Sequence, residues 1–249
     1  MKWIYNVEAF LLDIFFPNKC PVCDKDIGYD ELICRECEKE LEFVGDNYCP
    51  RCGKTECICQ KEEIYYDRCF SFIYYKDAGK NGVLALKERH GTGFAEYFAI
   101  KAAEYLKENE LSNKIDVITP VPVTKRKMRE TGYNHAHIYA KMIHRHSGIP
   151  VNGKLLIKTD KTLVQHELSA AESKQRASKA FRFIGDECLV RGKTVLLCDD
   201  IITTGSTLNY CAKVLKQAGA ENVICCTIAM TQLGDGNDIK KNADVLAYK

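Results

Sequence analysis

Two adjacent carboxylates, Asp199 and Asp200, stand directly before a loop of small and hydroxyl-bearing residues. The apolar residues 195–198 that precede them predict a buried strand of a parallel sheet, and open α/β sheets place ligands at the carboxyl ends of such strands. Backbone N–H groups of the loop, at the start of a helix predicted over 206–217, would hold a phosphate, while the carboxylates suit the hydroxyls of its sugar. The loop residues are Thr203, Thr204, Gly205, Ser206 and Thr207. The pattern therefore indicates a sugar-phosphate site.

A plainer interpretation of the same segment is an ordinary strand, turn and helix in which Asp200 and Thr204 only cap the helix. Two acids followed by five small or polar residues exceed what a cap needs. We therefore favour the ligand site.

A group of cations follows a second predicted strand, over 115–119. After Pro120-Val121-Pro122 the chain carries four cations within five residues: Lys125, Arg126, Lys127 and Arg129. We expect a loop here that binds a polyanion such as pyrophosphate, although a solvated basic turn has the same composition. Its position at the carboxyl end of a strand, in the same sheet as the phosphate loop, favours the ligand.

Eight cysteines crowd a short region near the start of the chain. They are Cys20, Cys23, Cys34, Cys37, Cys49, Cys52, Cys57 and Cys59. Two cysteines separated by two residues aim both sulfurs at one ion, and a second pair completes a closed tetrahedron, so the spacing predicts structural zinc. An iron–sulfur cluster suits this spacing less well, and no secretion signal supports disulfides.

The spacing leaves the number of zinc ions open. Two four-cysteine sites or one site with spare thiols are both compatible with it, as are sequential and crossed pairing. A segment of about forty residues cannot build an adequate core, so metal binding would supply its folding energy. The remaining cysteines lie in apolar segments and are expected to be small buried hydrophobes: Cys69, Cys188, Cys198, Cys211, Cys225 and Cys226.

The bulk properties are those of a globular protein without a strong electrostatic bias. The 249 residues are 46% hydrophobic and 28% charged, with a net charge of +2, so a nucleic-acid interface would need a local basic patch. No apolar run is long enough to span a membrane. Residues 3–16 predict an amphipathic helix rather than a targeting segment, and we expect a cytoplasmic protein.

Strands and helices alternate after the cysteine-rich region. Strands are predicted over 68–75, 115–119, 195–198 and 222–229, and helices over 81–87, 94–108 and 206–217. This order predicts an α/β fold with a doubly wound parallel sheet flanked by helices. The expected division is an N-terminal helix (1–17), a double zinc-ribbon module (18–62) and a larger α/β domain (63–249), whose tail from Gln232 onwards begins as a polar loop.

Residues 195–207 resemble the binding motif for 5-phosphoribosyl 1-diphosphate (PRPP) of type I phosphoribosyltransferases. The order of the cysteine-rich ribbon, Pro120-Val121-Pro122, Gly132-Tyr133-Asn134, a Thr162-x-x-Gln165 segment and the acidic loop is similar to that of the ComF family of competence proteins. The resemblance extends from about Phe10 to Ala229. It implies a type I phosphoribosyltransferase-like sheet with a zinc ribbon, and a link to DNA uptake.

The resemblance also implies roles for single residues. Catalytic roles fall to Asp199, Asp200, Arg126 and Arg129. Residues 203–207 would hold the 5′-phosphate of PRPP and residues 120–135 its diphosphate with Mg²⁺, and Gln165 would lie in a hood over the ligand. The implied ligand-binding residues outside the phosphate loop are Lys87, Lys125, Gly132, Tyr133, Asn134 and Gln165. The acceptor of a phosphoribosyl transfer is not implied.

A second hypothesis makes the protein a non-catalytic adaptor of the competence machinery. It would bind single-stranded DNA through Lys125 to Arg129 beside Tyr133, and use the pocket only to bind phosphates or sense PRPP. In a third hypothesis the zinc module is a docking platform for partner proteins. Salt-dependent DNA binding would distinguish the second hypothesis, and truncation of residues 1–60 the third.

Overall fold

The computed structural model describes residues 18–46, 48–87, 91–159 and 180–232. The expected helix over 3–16, the hood segment with Thr162 and Gln165, and most of the tail lie outside the described residues.

Six strands and six helices make up the described fold, together with a 3-10 turn at Glu187–Leu189. In chain order the strands are β1 (Arg68–Tyr74), β2 (Val117–Pro120), β3 (Leu156–Lys158), β4 (Phe181–Phe183), β5 (Thr194–Ile202) and β6 (Asn222–Met230). The helices are α1 (Arg35–Glu40), α2 (Asp77–Lys87), α3 (Thr92–Glu108), α4 (Lys125–Thr131), α5 (His135–Ser147) and α6 (Ser206–Gln217).

Four strands form a parallel sheet in the order β1-β6-β5-β2. Strands β5 and β6 are nearly continuous apolar runs, as expected for central strands that are covered on both faces. Because β5 lies beside β2, the acidic loop and the basic segment emerge at neighbouring positions on one edge of the sheet. The short strands β3 and β4 form a separate antiparallel pair.

Alternate side chains of β5 belong to different hydrophobic clusters. Leu196 and Cys198 share a cluster with residues of α2, α3 and α5, whereas Val195 and Leu197 share one with residues of α6. This alternation follows from the period of two in a strand. Both faces of the sheet are therefore covered, and the predicted α/β sheet flanked by helices is confirmed.

The cysteine-rich region packs onto the same core. Cys34, Cys37 and Leu41 belong to the cluster under α2 and α3. The backbone around Val44 runs along the outer edge of β1, with Val44 N donating to Phe72 O at 2.9 Å. The segment thereby covers the edge of the sheet that β1 would otherwise expose.

Two expectations about local structure are wrong. Strand β5 continues through both acids to Ile202 rather than ending at 198, because its ladder with β6 continues to Met230. The basic segment is helix α4 and not a loop, since the Thr124 side chain caps it by accepting from Lys127 N at 3.1 Å, and Gly132 at φ +79° ends it.

Cys188 is another correction, because it is exposed rather than buried. It lies in the 3-10 turn, where its N–H donates to the Asp186 carboxylate at 3.0 Å. The turn places the thiol at the surface before β5 begins. The other five cysteines outside the zinc-ribbon region are buried as predicted. Among the helices of the described residues, none is long and apolar enough to cross a membrane.

Candidate phosphate site and metal centres

The acid pair lies near the carboxyl end of β5, where this strand still pairs with β6 but no longer with β2. The Asp200 N–H donates to Asp199 Oδ1 at 3.0 Å, and Lys87 Nζ at the end of α2 lies 3.6 Å from Asp200 Oδ2. Burial, and next the charge of Asp200, raise the pKa of Asp199 well above its usual value. The pair is therefore an anionic site that Lys87 compensates only in part, and it favours a cation or hydroxyl donors as its ligand.

The phosphate loop follows directly and starts helix α6. Gly205 has φ +85°, a conformation that favours glycine, and it precedes the first helical residue. The Thr204 hydroxyl donates to Ser206 Oγ at 3.0 Å, and both residues are exposed. Thr204 Oγ1 accepts from Ser206 N at 3.3 Å, but the N-cap residue Gly205 offers no side-chain acceptor to the N–H groups that follow. The first N–H groups of α6 and the loop hydroxyls are thus placed at a surface where a phosphate could bind.

The cations of α4 are presented by a helix without a single buried residue. Lys125, Arg126 and Arg129 are exposed, and the one ion pair that the described residues give them joins Arg126 Nε to Glu130 Oε1 at 3.5 Å. Because α4 begins five residues after β2, which pairs with β5, its charges lie at the same sheet edge as the acid pair.

Tyr133 and Asn134 hold the segment that follows α4. The Tyr133 hydroxyl donates to Lys87 O at 2.9 Å, which joins this segment to the end of α2. The Asn134 amide donates to Val121 O at 2.9 Å and accepts from Ala136 N at 3.1 Å, so it caps α5. Contact between these residues or Gly132 and a ligand stays a prediction.

His135 is a buried ring beside the acid pair. It is 8% exposed, its Nε2 has no hydrogen-bond partner within the described part of the chain, and the Tyr133 ring meets it edge-on at 4.9 Å. Burial is the main cause that lowers its pKa, against the charge of Asp200, which raises it. At neutral pH the ring is uncharged.

A cleft of about 370 Å³ lies beside this edge of the sheet. It is lined by Pro122, Lys125 and Asn134 from the segment after β2, and by Leu156 and Lys158 of β3. Two lysines and an amide around a partly apolar floor would suit a flat polar ligand or the end of a phosphate chain.

The eight predicted ligand cysteines form two groups. The first group is Cys20, Cys23, Cys34 and Cys37, and the second is Cys49, Cys52, Cys57 and Cys59. In each group the sulfurs lie within 4.8 Å of one another. The structure thus selects two sites with sequential pairing over crossed pairing and over one site with spare thiols.

The sulfur geometry fits zinc. Tetrahedral zinc with bonds of about 2.3 Å requires sulfurs about 3.8 Å apart, and the Cys23–Cys34 and Cys49–Cys59 distances are 3.7 and 3.9 Å. Burial raises the pKa of Cys20, but backbone N–H groups outweigh it and bring the pKa to about 7. Burial also raises the pKa of Cys49, but the backbone N–H groups of its own turn outweigh this effect and bring the pKa to about 7. Burial raises the pKa values of the other buried or half-buried ligands instead, which are Cys34, Cys37, Cys52 and Cys59. Each group thus has one thiol that ionises readily near neutral pH, and binding of the ion would have to release protons from the others.

The second ribbon touches the phosphate loop. Lys54, two residues after Cys52, is 2% exposed, and its Nζ donates a hydrogen bond to Thr203 O. The Tyr66 hydroxyl donates to Cys52 O at 3.2 Å and lies 3.5 Å from the position of a Cβ on Gly205. No sequence signal points to Lys54, because a Gly-Lys-Thr segment after a zinc knuckle has the composition of a solvated turn.

Comparison with protein families agrees with this geometry. The model of the phosphoribosyl transferase domain matches residues 99–247, more than half of the chain. The chain belongs to the phosphoribosyl transferase domain family. The model of the double zinc ribbon domain matches residues 11–70 and so includes both four-cysteine groups.

Named relatives extend the match over most of the chain. Competence protein F of Haemophilus influenzae is 27% identical, over 82% of this chain and 86% of that protein. Competence protein ComFC of Bacillus subtilis is 26% identical, over 76% and 80%. The DNA utilization protein YhgH of Shigella flexneri is 32% identical, over 43% and 46%. The predicted resemblance to the ComF family, with its zinc ribbon and phosphoribosyltransferase-like domain, is confirmed.

The structure brings together only some of the predicted site residues. Lys87 forms an ion pair with Asp200, and residues 203–207 follow directly after β5, which carries the acid pair. Arg126 and Arg129 lie on the neighbouring helix α4, and Gln165 lies outside the described residues.

Proposed function

We propose that this chain binds PRPP together with Mg²⁺ at the carboxyl edge of the parallel sheet. The observation that carries the proposal is the succession of an acid pair and a helix start without an N-cap side chain at the end of β5, with Lys87 3.6 Å from Asp200. The loop would bind the 5′-phosphate and the acid pair the ribose hydroxyls. These two contacts would fix the sugar in one orientation.

The diphosphate would lie towards α4. Its exposed Lys125, Arg126 and Arg129 supply positive charge just after the neighbouring strand β2, and the cleft beside this segment has room for a phosphate chain. Mg²⁺, when bound, neutralises charge on the diphosphate oxygens. The carboxylate oxygens of Asp199 and Asp200 suit this ion. Burial, and next the charge of Asp200, raise the pKa of Asp199, and a bound cation would offset both effects.

The same arrangement suits transfer of the phosphoribosyl group. As the diphosphate leaves C1 of the ribose, positive charge develops on the sugar, and the acid pair would offset it. The cations of α4 would stabilise the departing diphosphate. The competence relatives support a role of this activity in DNA uptake.

Calorimetric titration of PRPP with Mg²⁺ into zinc-loaded protein tests the proposal. The variant Asp199→Asn/Asp200→Asn should bind at least about a hundredfold more weakly, since it loses two charge-assisted contacts. The control is Asp186→Asn/Glu187→Gln, another pair of adjacent acids, which is exposed and lies before the amino end of β5. A folded wild-type protein that does not bind PRPP would refute the proposal, and so would equal binding by the acid-pair variant.

A second candidate function is non-catalytic binding of single-stranded DNA. The observation that favours it is the exposed basic helix α4, which has no buried residue. Each phosphate contact on a single strand changes the slope of log affinity against log salt by about −0.7. Replacing Lys125, Arg126 and Arg129 with Ala should therefore flatten the slope by about two if all three bind DNA. An unchanged slope would exclude α4 as the DNA site.

A further inference from the structure

The Lys54 side chain is buried at the contact between the second ribbon and the phosphate loop. It is 2% exposed, and no carboxylate among the described residues lies within ion-pair distance of its Nζ. Its one hydrogen bond to another part of the chain is to Thr203 O, 149 residues away, at the start of the phosphate loop.

The hydrogen bond fixes the direction of one peptide group. The C=O of Thr203 and the N–H of Thr204 belong to the same planar trans peptide and point in opposite directions. No peptide bond in the described residues is cis. Because Lys54 holds the C=O towards the zinc ribbon, the N–H of Thr204 points away from the ribbon. The Thr204 and Ser206 side chains are exposed, and we expect the phosphate to bind on the side to which this N–H points.

The ribbon and the linker that follows it make further contacts with the loop and with the start of α6. The Tyr66 hydroxyl is anchored to Cys52 O and lies under Gly205. The Asn209 side chain, in the first turns of α6, accepts from Tyr65 N and donates to Glu63 O, both at 2.7 Å. The phosphate loop therefore rests on the second ribbon and on the linker that leaves it.

We propose that Lys54 is a positioning residue of the phosphate site, contributed by the second zinc ribbon. It orients the Thr203–Thr204 peptide so that its N–H faces the phosphate. The zinc ribbon is then a structural part of the ligand site and not a separate module. This inference rests on the proposed binding of a phosphoribosyl ligand.

The test compares two phosphate probes on the full-length, zinc-loaded protein. Lys54→Met keeps most of the side-chain volume but removes the donor and the charge. Calorimetry should show ribose 5-phosphate binding about tenfold or more weaker, the size of one charge-assisted hydrogen bond. Inorganic pyrophosphate, which would bind at α4, should keep its affinity within about twofold. The matched control is Lys25→Met, an exposed lysine of the first ribbon, which should leave both affinities unchanged.

A general loss of structure would lower the affinities for both probes equally, and that result would overturn the proposal. Unchanged affinities for both probes would overturn it as well. Lys54→Arg retains a donor and a charge and should recover part of the affinity for ribose 5-phosphate. Should Lys54→Met fail to retain two zinc ions per chain, Lys54→Gln takes its place, with the same expected difference between the two probes.

A measurement without ligand separates this inference from the proposed function. In the wild-type protein, backbone amides of residues 203–206 should have NMR order parameters in the rigid range, about 0.85, and in Lys54→Met they should fall towards 0.6. If the wild type binds no phosphate ligand, the proposed function fails, and a rigid loop that loosens in the variant still supports the role of Lys54 in holding the loop. Unchanged order parameters would refute that role.

Discussion

Replacing Lys87 with Met measures how much the ion pair between Lys87 and Asp200 contributes to stability. The substitution removes the ammonium group 3.6 Å from Asp200 but keeps an unbranched apolar side chain at the end of α2. Asp200 is then left beside Asp199 without the cation. We expect the folded state to lose stability at neutral pH, because the charge of Asp200 then has no cation beside it in a partly buried site.

The structure sets the size of the effect. Unit charges 3.6 Å apart attract by about 4–5 kcal/mol at an effective dielectric constant of 20. The Lys87 side chain is 25% exposed and that of Asp200 12%, so solvent screens part of this attraction. The unfolded chain also hydrates the ammonium group better. We therefore expect a loss of about 2–3 kcal/mol in the free energy of unfolding.

The penalty should depend on pH in a definite direction. The pKa of Asp199 is raised in the folded state, chiefly by burial, so this state holds a proton that the unfolded chain releases above about pH 3.9. The contribution of this group to stability therefore falls as pH rises through its folded pKa. Without Lys87 the pKa rises further. The penalty should therefore be larger at pH 7.5 than at pH 5.5, because a lower pH favours protonation of Asp199.

Urea unfolding followed by circular dichroism measures the free energy at both pH values, without Mg²⁺ or chelator. Lys80→Met on the same helix is the control, and the double variant Lys87→Met/Asp200→Asn should recover most of the loss. A penalty below about 0.5 kcal/mol, or one that is equal at both pH values, would refute the proposed electrostatic role of Lys87.

Two further substitutions test how the second ribbon is held. Gly53→Ala should weaken zinc retention against a chelator and cost at least about 2 kcal/mol, since φ is +69° and the new Cβ would lie 2.7 Å from Cys69 Sγ. Gly45→Ala, at φ +59° with open space around it, should cost only about 1 kcal/mol; equal effects would contradict the steric argument. Asn209→Ala should cost about 1–3 kcal/mol by freeing Tyr65 N and Glu63 O from α6, and Asn209→Asp should cost less if Tyr65 N is the dominant partner.

Local signals in the sequence predicted the elements that carry the acid pair and the loop. Helix α6 begins and ends as predicted, because a glycine in the left-handed region precedes a regular apolar period. Helix α4 was missed although its signals are present: Thr124 caps it, Gly132 ends it, and lysine and arginine are good helix formers. The four cations within five residues are equally typical of a ligand-binding loop, so their composition alone does not predict the helix.

The sequence by itself was enough to predict a sugar-phosphate site and a cysteine-bound metal. Paired acids before a hydroxyl-rich loop and repeated cysteine pairs act through neighbours in the chain, so spacing alone identifies them. Only the tertiary structure decided which cysteines share an ion, that Lys87 compensates Asp200, and that Lys54 of the ribbon supports the phosphate loop. These contacts join distant parts of the chain. They depend on how sheet, helices and ribbon pack together, and no local pattern of residue types records that packing.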